Sequence, residues 1–123
     1  MLTVAGYTVG RVGLGTMQLT GPKGMGEPAS PEAARAVLRE AVDAGARLID
    51  TSGYYGPEVA NRLIAEALYP YPADLLIATK VGARRTPDGG FTAHATPQAV
   101  RDAVHDNLAQ LKLDRLPLVH ARY

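Results

Sequence analysis

Apolar residues gather in four short runs, V-G-L-G (12–15), R-L-I-D (47–50), L-L-I-A-T-K-V (75–81) and L-P-L-V-H (116–120), each separated from the next by a longer stretch with helical spacing. Short apolar runs alternating with amphipathic helices predict a βαβα order and a parallel sheet. In the first helical stretch Ser30 stands at the N-cap and Pro31 in the first turn, with Ala34, Val37, Leu38, Ala41 and Val42 on one face and Gly45 as the stop. The second opens with Pro57 and Glu58, presents Val59, Leu63, Ile64, Ala67 and Leu68, and ends before Pro70 and Pro72. The third has Thr96 as N-cap and Pro97 in the first turn, with Val100, Ala103, Val104, Leu108 and Leu111 facing inward. Ahead of all this, L-T-V-A-G-Y-T-V-G alternates apolar and polar residues about Ala5-Gly6, which predicts a small hairpin suited to capping the closed end of a barrel.

Composition narrows the choice of function. The 123 residues suit one domain with a real core, and 46% hydrophobic with 20% charged residues is ordinary globular content. A formal charge of +1 gives no electrostatic footprint for nucleic acid or an anionic membrane. The absence of cysteine excludes disulfides and thiolate metal sites, and three scattered histidines leave little for zinc. No stretch approaches the roughly 18 apolar residues of a membrane span, and the start lacks the pattern of a signal peptide, so a cytoplasmic location is expected.

Two glycine-rich stretches interrupt the rhythm, T-G-P-K-G-M-G-E-P-A-S (20–30) and G-A-R-R-T-P-D-G-G-F-T-A-H-A (82–95). Both follow strand C-terminal ends, where α/β folds place their sites. Neither has the order of a phosphate-binding loop, and V-G-R-V-G-L-G lacks the strand context of a dinucleotide fingerprint. Arg84 and Arg85 read as solvated loop charges, with a cofactor phosphate or an acidic substrate as the sharper alternative, and His94 and His105 read as surface residues.

The chemistry gathers at the same rim. Asp50 closes the second run, Lys80 lies near the end of the third, His120 ends the fourth, and Tyr54 and Tyr55 follow Asp50 in its loop. A tyrosine, with a free pKa of about 10, is a poor acid near neutrality, and a neighbouring ammonium makes its phenolate easier to form. Lys80 is the candidate ammonium, Asp50 the carboxylate that keeps it charged and fixed, and His120 a ring N–H donor that holds a carbonyl oxygen. Taken singly, Asp50 is a cap, Tyr55 a packing residue and Lys80 a solvated strand end; only the joint spacing points to carbonyl reduction.

The motifs G-L-G-T-M (13–17), D-T-S-G-Y-Y-G (50–56), A-T-K-V-G (78–82) and P-L-V-H (117–120) together resemble the aldo-keto reductase superfamily in order and spacing. The resemblance implies the N-terminal half, about four βα units preceded by a small hairpin, of a TIM-type (β/α)₈ barrel. It also implies a tetrad of Asp50, Tyr55, Lys80 and His120, with Tyr55 chosen over Tyr54 because glycine follows it. Cofactor contacts implied are Gly15, Thr16, Met17 and Asp50, the cofactor being NADPH with NADH as the alternative, and the substrate a small carbonyl compound.

A whole barrel takes roughly 250 residues, so this chain is expected to lack strands five to eight and with them most of the cofactor site. A half barrel leaves the outer edge of L-P-L-V-H unpaired, which predicts self-association or a complementary C-terminal half. The rival expectation is a non-catalytic half barrel acting through self-association or as a cofactor-binding regulatory module.

Overall fold

The computed structural model describes residues 1–122. The expected hairpin forms from β1 (Leu2–Val4) and β2 (Tyr7–Val9), paired antiparallel. Its two-residue turn places Ala5 at φ 50° and Gly6 at φ 83°, the twist that a tight hairpin needs. Gly6, Tyr7 and Thr8 share a cavity with Gly45, Arg47, Asp74 and Arg115, so the hairpin sits at the N-terminal ends of the strands, away from the site.

The main sheet holds β3 (Leu14–Gly15), β4 (Leu48–Asp50), β5 (Leu76–Arg85) and β7 (Leu118–Ala121), parallel in that spatial order, while β6 (Phe91–His94) pairs with the far end of β5. Three helices connect them: α1 (Pro31–Asp43), α2 (Val59–Leu68) and α3 (Pro97–Leu111). The caps read from the sequence are made, Ser30 Oγ accepting from the Ala33 N–H at 3.1 Å and Thr96 Oγ1 from the Ala99 N–H at 3.1 Å.

Register decides which side chains meet. Leu14, Ile49 and Ile77 stand side by side on one face and pack with Leu38, Leu63, Ile64 and Leu111 from the three helices. Residues one step along point the other way. Gly15 pairs with Asp50, Asp50 with Ala78, and Lys80 with His120, so these share the face that no helix covers. This is the N-terminal half of a (β/α)₈ barrel, its inner face bearing the polar strand ends.

Three expectations need correction. Val37 is 43% exposed, because the buried stripe of α1 follows Ala34 and Leu38 and leaves Val37 at its margin. Glu58 lies outside α2 as its N-cap, at φ 67°. The stretch 82–95 is a hairpin, in which β6 (Phe91–His94) pairs antiparallel with the end of β5, Gly82 opposite His94 and Arg85 opposite Phe91. Its turn closes through Thr86 N–H to the Gly90 carbonyl at 3.0 Å and Gly90 N–H to Asp88 Oδ1 at 3.1 Å, with Gly89 at φ 87°.

Candidate active site

The parallel pairing carries Asp50 and Lys80 onto adjacent strand ends of the uncovered face. Lys80 Nζ donates to Asp50 Oδ1 at 2.8 Å and Oδ2 at 2.7 Å, and to the Thr51 carbonyl oxygen at 3.0 Å. Three acceptors for three ammonium protons hold the side chain in one place. The Lys80 side chain is 16% exposed. Burial by itself lowers the Lys80 pKa, but the hydrogen bonds to Asp50 and the charge of Asp50, with the Tyr55 phenol close by, outweigh it, and the net shift is upward.

That direction fixes a pH dependence. A group raised on folding contributes stability in full below its unfolded value and loses it as pH rises through the folded one. Relative to Lys80→Met, the parent chain is therefore expected to keep a constant advantage up to the ordinary lysine value of 10.5 and to lose it above that. Thermal melts of both chains from about pH 7 to above pH 11 check this; an advantage that survives at the alkaline end rejects it.

Tyr55 is 6% exposed, and the Lys80 ammonium lies 5.0 Å from its ring centroid. Tyr54 stands edge-on to Tyr55, with centroids 5.5 Å apart, and edge-on to Phe91 of β6 at the same separation. The two neighbours thus part company: Tyr55 meets the ammonium, while Tyr54 packs toward the hairpin with its hydroxyl buried and unpartnered among the described residues. Tyr54 also lines a cavity of about 260 Å³ together with Lys80, Arg84, His94 and Asp106.

The glycine after Tyr55 has a steric cause. Gly56 sits at φ 120°, and a Cβ there would lie 2.4 Å from Val59 Cβ. Its N–H donates to the Gly24 carbonyl at 2.8 Å, and its own carbonyl accepts from the Gly26 N–H at 2.7 Å. The first glycine-rich stretch is therefore pinned to the tyrosine loop. Arg85 completes the clamp, donating to the carbonyls of Lys23 at 2.6 Å, Gly89 at 2.7 Å and Gly24 at 3.3 Å, with its guanidinium 4.2 Å from the Phe91 ring centroid. Arg85 joins the two glycine-rich stretches and is not a solvated charge; Arg84, His94 and His105 are exposed, as the sequence suggested.

Around the first strand, Thr16 is fully buried and spends both donors on the Asp50 carbonyl, Oγ1 at 3.0 Å and N–H at 3.1 Å. It anchors the end of β4. Gly15 is exposed beside Asp50, and Met17 packs on the cluster of Tyr54, Tyr55 and Ala60. Of the four residues read as cofactor contacts, the Gly15 backbone and the Asp50 carboxylate are the ones open on the uncovered face. His120 pairs with Lys80 in register and is exposed, so it stands next to the ion pair without being buried in it.

The sequence reading missed a polar network under this site. Thr51 Oγ1 donates to Asn61 Oδ1 at 2.8 Å, Asn61 Nδ2 donates to Asn107 Oδ1 and Gln110 Oε1, each at 2.8 Å, and Thr79 Oγ1 donates to Asn107 Oδ1 at 2.7 Å. Thr51, Asn61 and Thr79 are fully buried and Asn107 is 2% exposed. A signal was there: Asn107 falls between Ala103 and Leu111 at helical spacing, an amide where an apolar residue belongs.

Among the described residues no group of three His, Asp or Glu is placed to hold a metal ion, and no helix is long and apolar enough to cross a membrane. A family model described as the Aldo/keto reductase family matches residues 11–121. Pyridoxine 4-dehydrogenase of Escherichia coli (strain K12) is 48% identical over 98% of this chain and 42% of its own length. L-galactose dehydrogenase of Arabidopsis thaliana is 31% identical over 94% of this chain and 34% of its own. Among solved structures, an aldo-keto reductase of Bacillus halodurans in its holo form superposes with a TM-score of 0.79 at 25% identity, over 98% of this chain and 38% of that one. An aldo-keto reductase from Klebsiella pneumoniae in complex with NADPH gives 0.68 at 28% identity, over 90% and 34%. The chain thus spans between about a third and two fifths of the length of these relatives.

Proposed function

Because the chain belongs to the aldo/keto reductase family, we propose that it carries the proton-delivering part of an NAD(P)H-dependent oxidoreductase that reduces an aldehyde or ketone to an alcohol. The observation that carries this is the Lys80 ammonium, clamped by Asp50 and set against the Tyr55 ring on the uncovered face of the sheet. When bound, the reduced nicotinamide supplies hydride to the carbonyl carbon. Tyr55 gives its hydroxyl proton to the carbonyl oxygen as that oxygen gains charge, and the fixed ammonium of Lys80 stabilises the phenolate left behind. Asp50 keeps Lys80 charged and in place, and His120, beside Lys80 in register, would donate to the same carbonyl oxygen. The exposed backbone of Gly15 and the Asp50 carboxylate would face the nicotinamide riboside, with Thr16 holding the end of β4 and Met17 backing Tyr55.

NADPH is the proposed cofactor, as in the Klebsiella pneumoniae complex, with NADH as the alternative. The Escherichia coli relative is a pyridoxine 4-dehydrogenase, which makes pyridoxine the first alcohol to assay in the oxidative direction. The outer edges of β3 and β7 pair with no strand among the described residues, and there the rest of a barrel, or a second copy, would join.

The test is to supply the remainder. Joining the portion of the Escherichia coli relative that follows the matched region after residue 121 is expected to restore aldehyde-dependent NADPH oxidation, while the chain alone turns over little or nothing. A chimera that folds and binds NADPH but reduces no member of an aldehyde and ketone panel rejects the reading. Robust turnover by the chain alone rejects its half-site premise.

A further inference from the structure

Asp50, Tyr55 and Lys80 come from three different places on the uncovered face, yet on the helix side of the sheet their chain neighbours converge on one residue. Asn107 Oδ1 accepts from Thr79 Oγ1 at 2.7 Å, directly before Lys80 in the chain. It also accepts from Asn61 Nδ2 at 2.8 Å, and Asn61 holds the hydroxyl of Thr51, directly after Asp50. The loop from Asp50 to Tyr55 passes so close that a Cβ at Gly53 would lie 3.2 Å from Asn107 Nδ2. Asn107 is itself fixed, Nδ2 donating to the Ala103 carbonyl one turn back at 2.8 Å.

The coupling between the two faces runs through Thr51. Its side chain donates into the network, while its carbonyl accepts from Lys80 Nζ at 3.0 Å. A shift of Thr51 therefore moves an acceptor of the ammonium. An apolar residue at 107 would fill the same space against Leu111 and Ala103, so hydrophobic packing gives no reason for an amide there; the reason lies in the three segments that it holds.

We propose that Asn107, on helix α3, is a positioning residue that sets the Asp50–Lys80 pair and the Tyr55 loop in register through Thr79, Asn61–Thr51 and Gly53. Its relevance to catalysis rests on the function proposed above; the positioning itself does not. Thr79→Val keeps the shape and removes the hydroxyl, Thr79→Ser keeps the hydroxyl, and Asn107→Leu removes the hub. Ile64→Val, in the same core but outside the network, controls for lost stability.

The readout is the exchange rate of the Lys80 ammonium protons by ¹⁵N NMR on this chain, with exposed Lys23 and Lys112 as internal references. In the parent chain Lys80 is expected to exchange more slowly than either. Thr79→Val and Asn107→Leu are each expected to speed its exchange about tenfold, the scale of one weakened hydrogen bond. Thr79→Ser and Ile64→Val are expected to leave it unchanged. If Asn107→Leu fails to fold, Thr79→Val decides. Unchanged Lys80 exchange in Thr79→Val overturns the proposal, and so does equal acceleration in Ile64→Val. None of these readouts needs turnover, so a chimera inactive on carbonyl compounds leaves their outcome untouched.

Discussion

Gly56→Ala is expected to destabilise the chain by roughly 3 kcal/mol, the sum of a disfavoured backbone conformation and an overpacked contact. A single methyl group does this because two constraints coincide. At φ 120° an L side chain is strained whatever the space, and here the new Cβ meets Val59 Cβ at 2.4 Å and the Val59 backbone nitrogen at 2.7 Å. Relief by moving residue 56 would break its hydrogen bonds to Gly24 and Gly26 and release the first glycine-rich stretch. Gly10→Ala is the control, since nothing lies within 4 Å of its Cβ position; it should stay within about 0.5 kcal/mol of the parent. Urea denaturation of both variants measures the difference, and a Gly56→Ala midpoint matching that of Gly10→Ala refutes the account. A loosened loop would also carry Tyr55 away from Lys80, so the glycine is tied to the proposed chemistry as well as to the fold.

Much of the fold was legible because local and long-range signals agreed. Ser30-Pro31 and Thr96-Pro97 fixed two helix starts, and each cap is made as read. The strand R-L-I-D was legible as an apolar run with a polar end, and its register then followed from Ile49 having to share a face with Ile77. The hairpin at 82–95 was missed because neither of its strands carries apolar alternation and its return strand, Phe91 to His94, has no buried member. Its turn was written plainly enough in Thr86-Pro87-Asp88-Gly89-Gly90, which holds the Asp-Gly signal of a tight reversal.

The candidate site was legible at its strand ends and in the loop after Asp50, and hidden in the amide layer beneath them. Asp50, Lys80 and His120 announced themselves as polar residues at the ends of apolar strands, and period-two geometry brought them to one face. Asn61 and Asn107 sat inside helical stripes, where a search for apolar spacing passes over them. Thr16 showed a different limit. Its place beside the site was readable, but its use of both donors on the Asp50 carbonyl depends on a contact 34 residues away in sequence.

Tyr55→Phe, in the restored barrel, is expected to lower kcat by about 10²- to 10⁴-fold, the range for loss of a positioned general acid. The substitution is informative because it subtracts so little else. The ring still packs against Tyr54, Met17 and Ala60 and still faces the Lys80 ammonium, so fold and NADPH affinity should hold. Lys80→Met should also slow turnover, but by a different route, because it keeps the phenol and removes the charge that stabilises its anion. If Lys80 acts through Tyr55, the double variant should be little worse than Tyr55→Phe alone, since residues acting as one unit are not additive. Steady-state kinetics of the four proteins, parent included, check this directly. A Tyr55→Phe enzyme with more than a tenth of the parent rate would move the proton donor elsewhere, and Tyr54, whose hydroxyl is buried and whose ring centroid lies 5.5 Å from that of Tyr55, would be the next residue to replace.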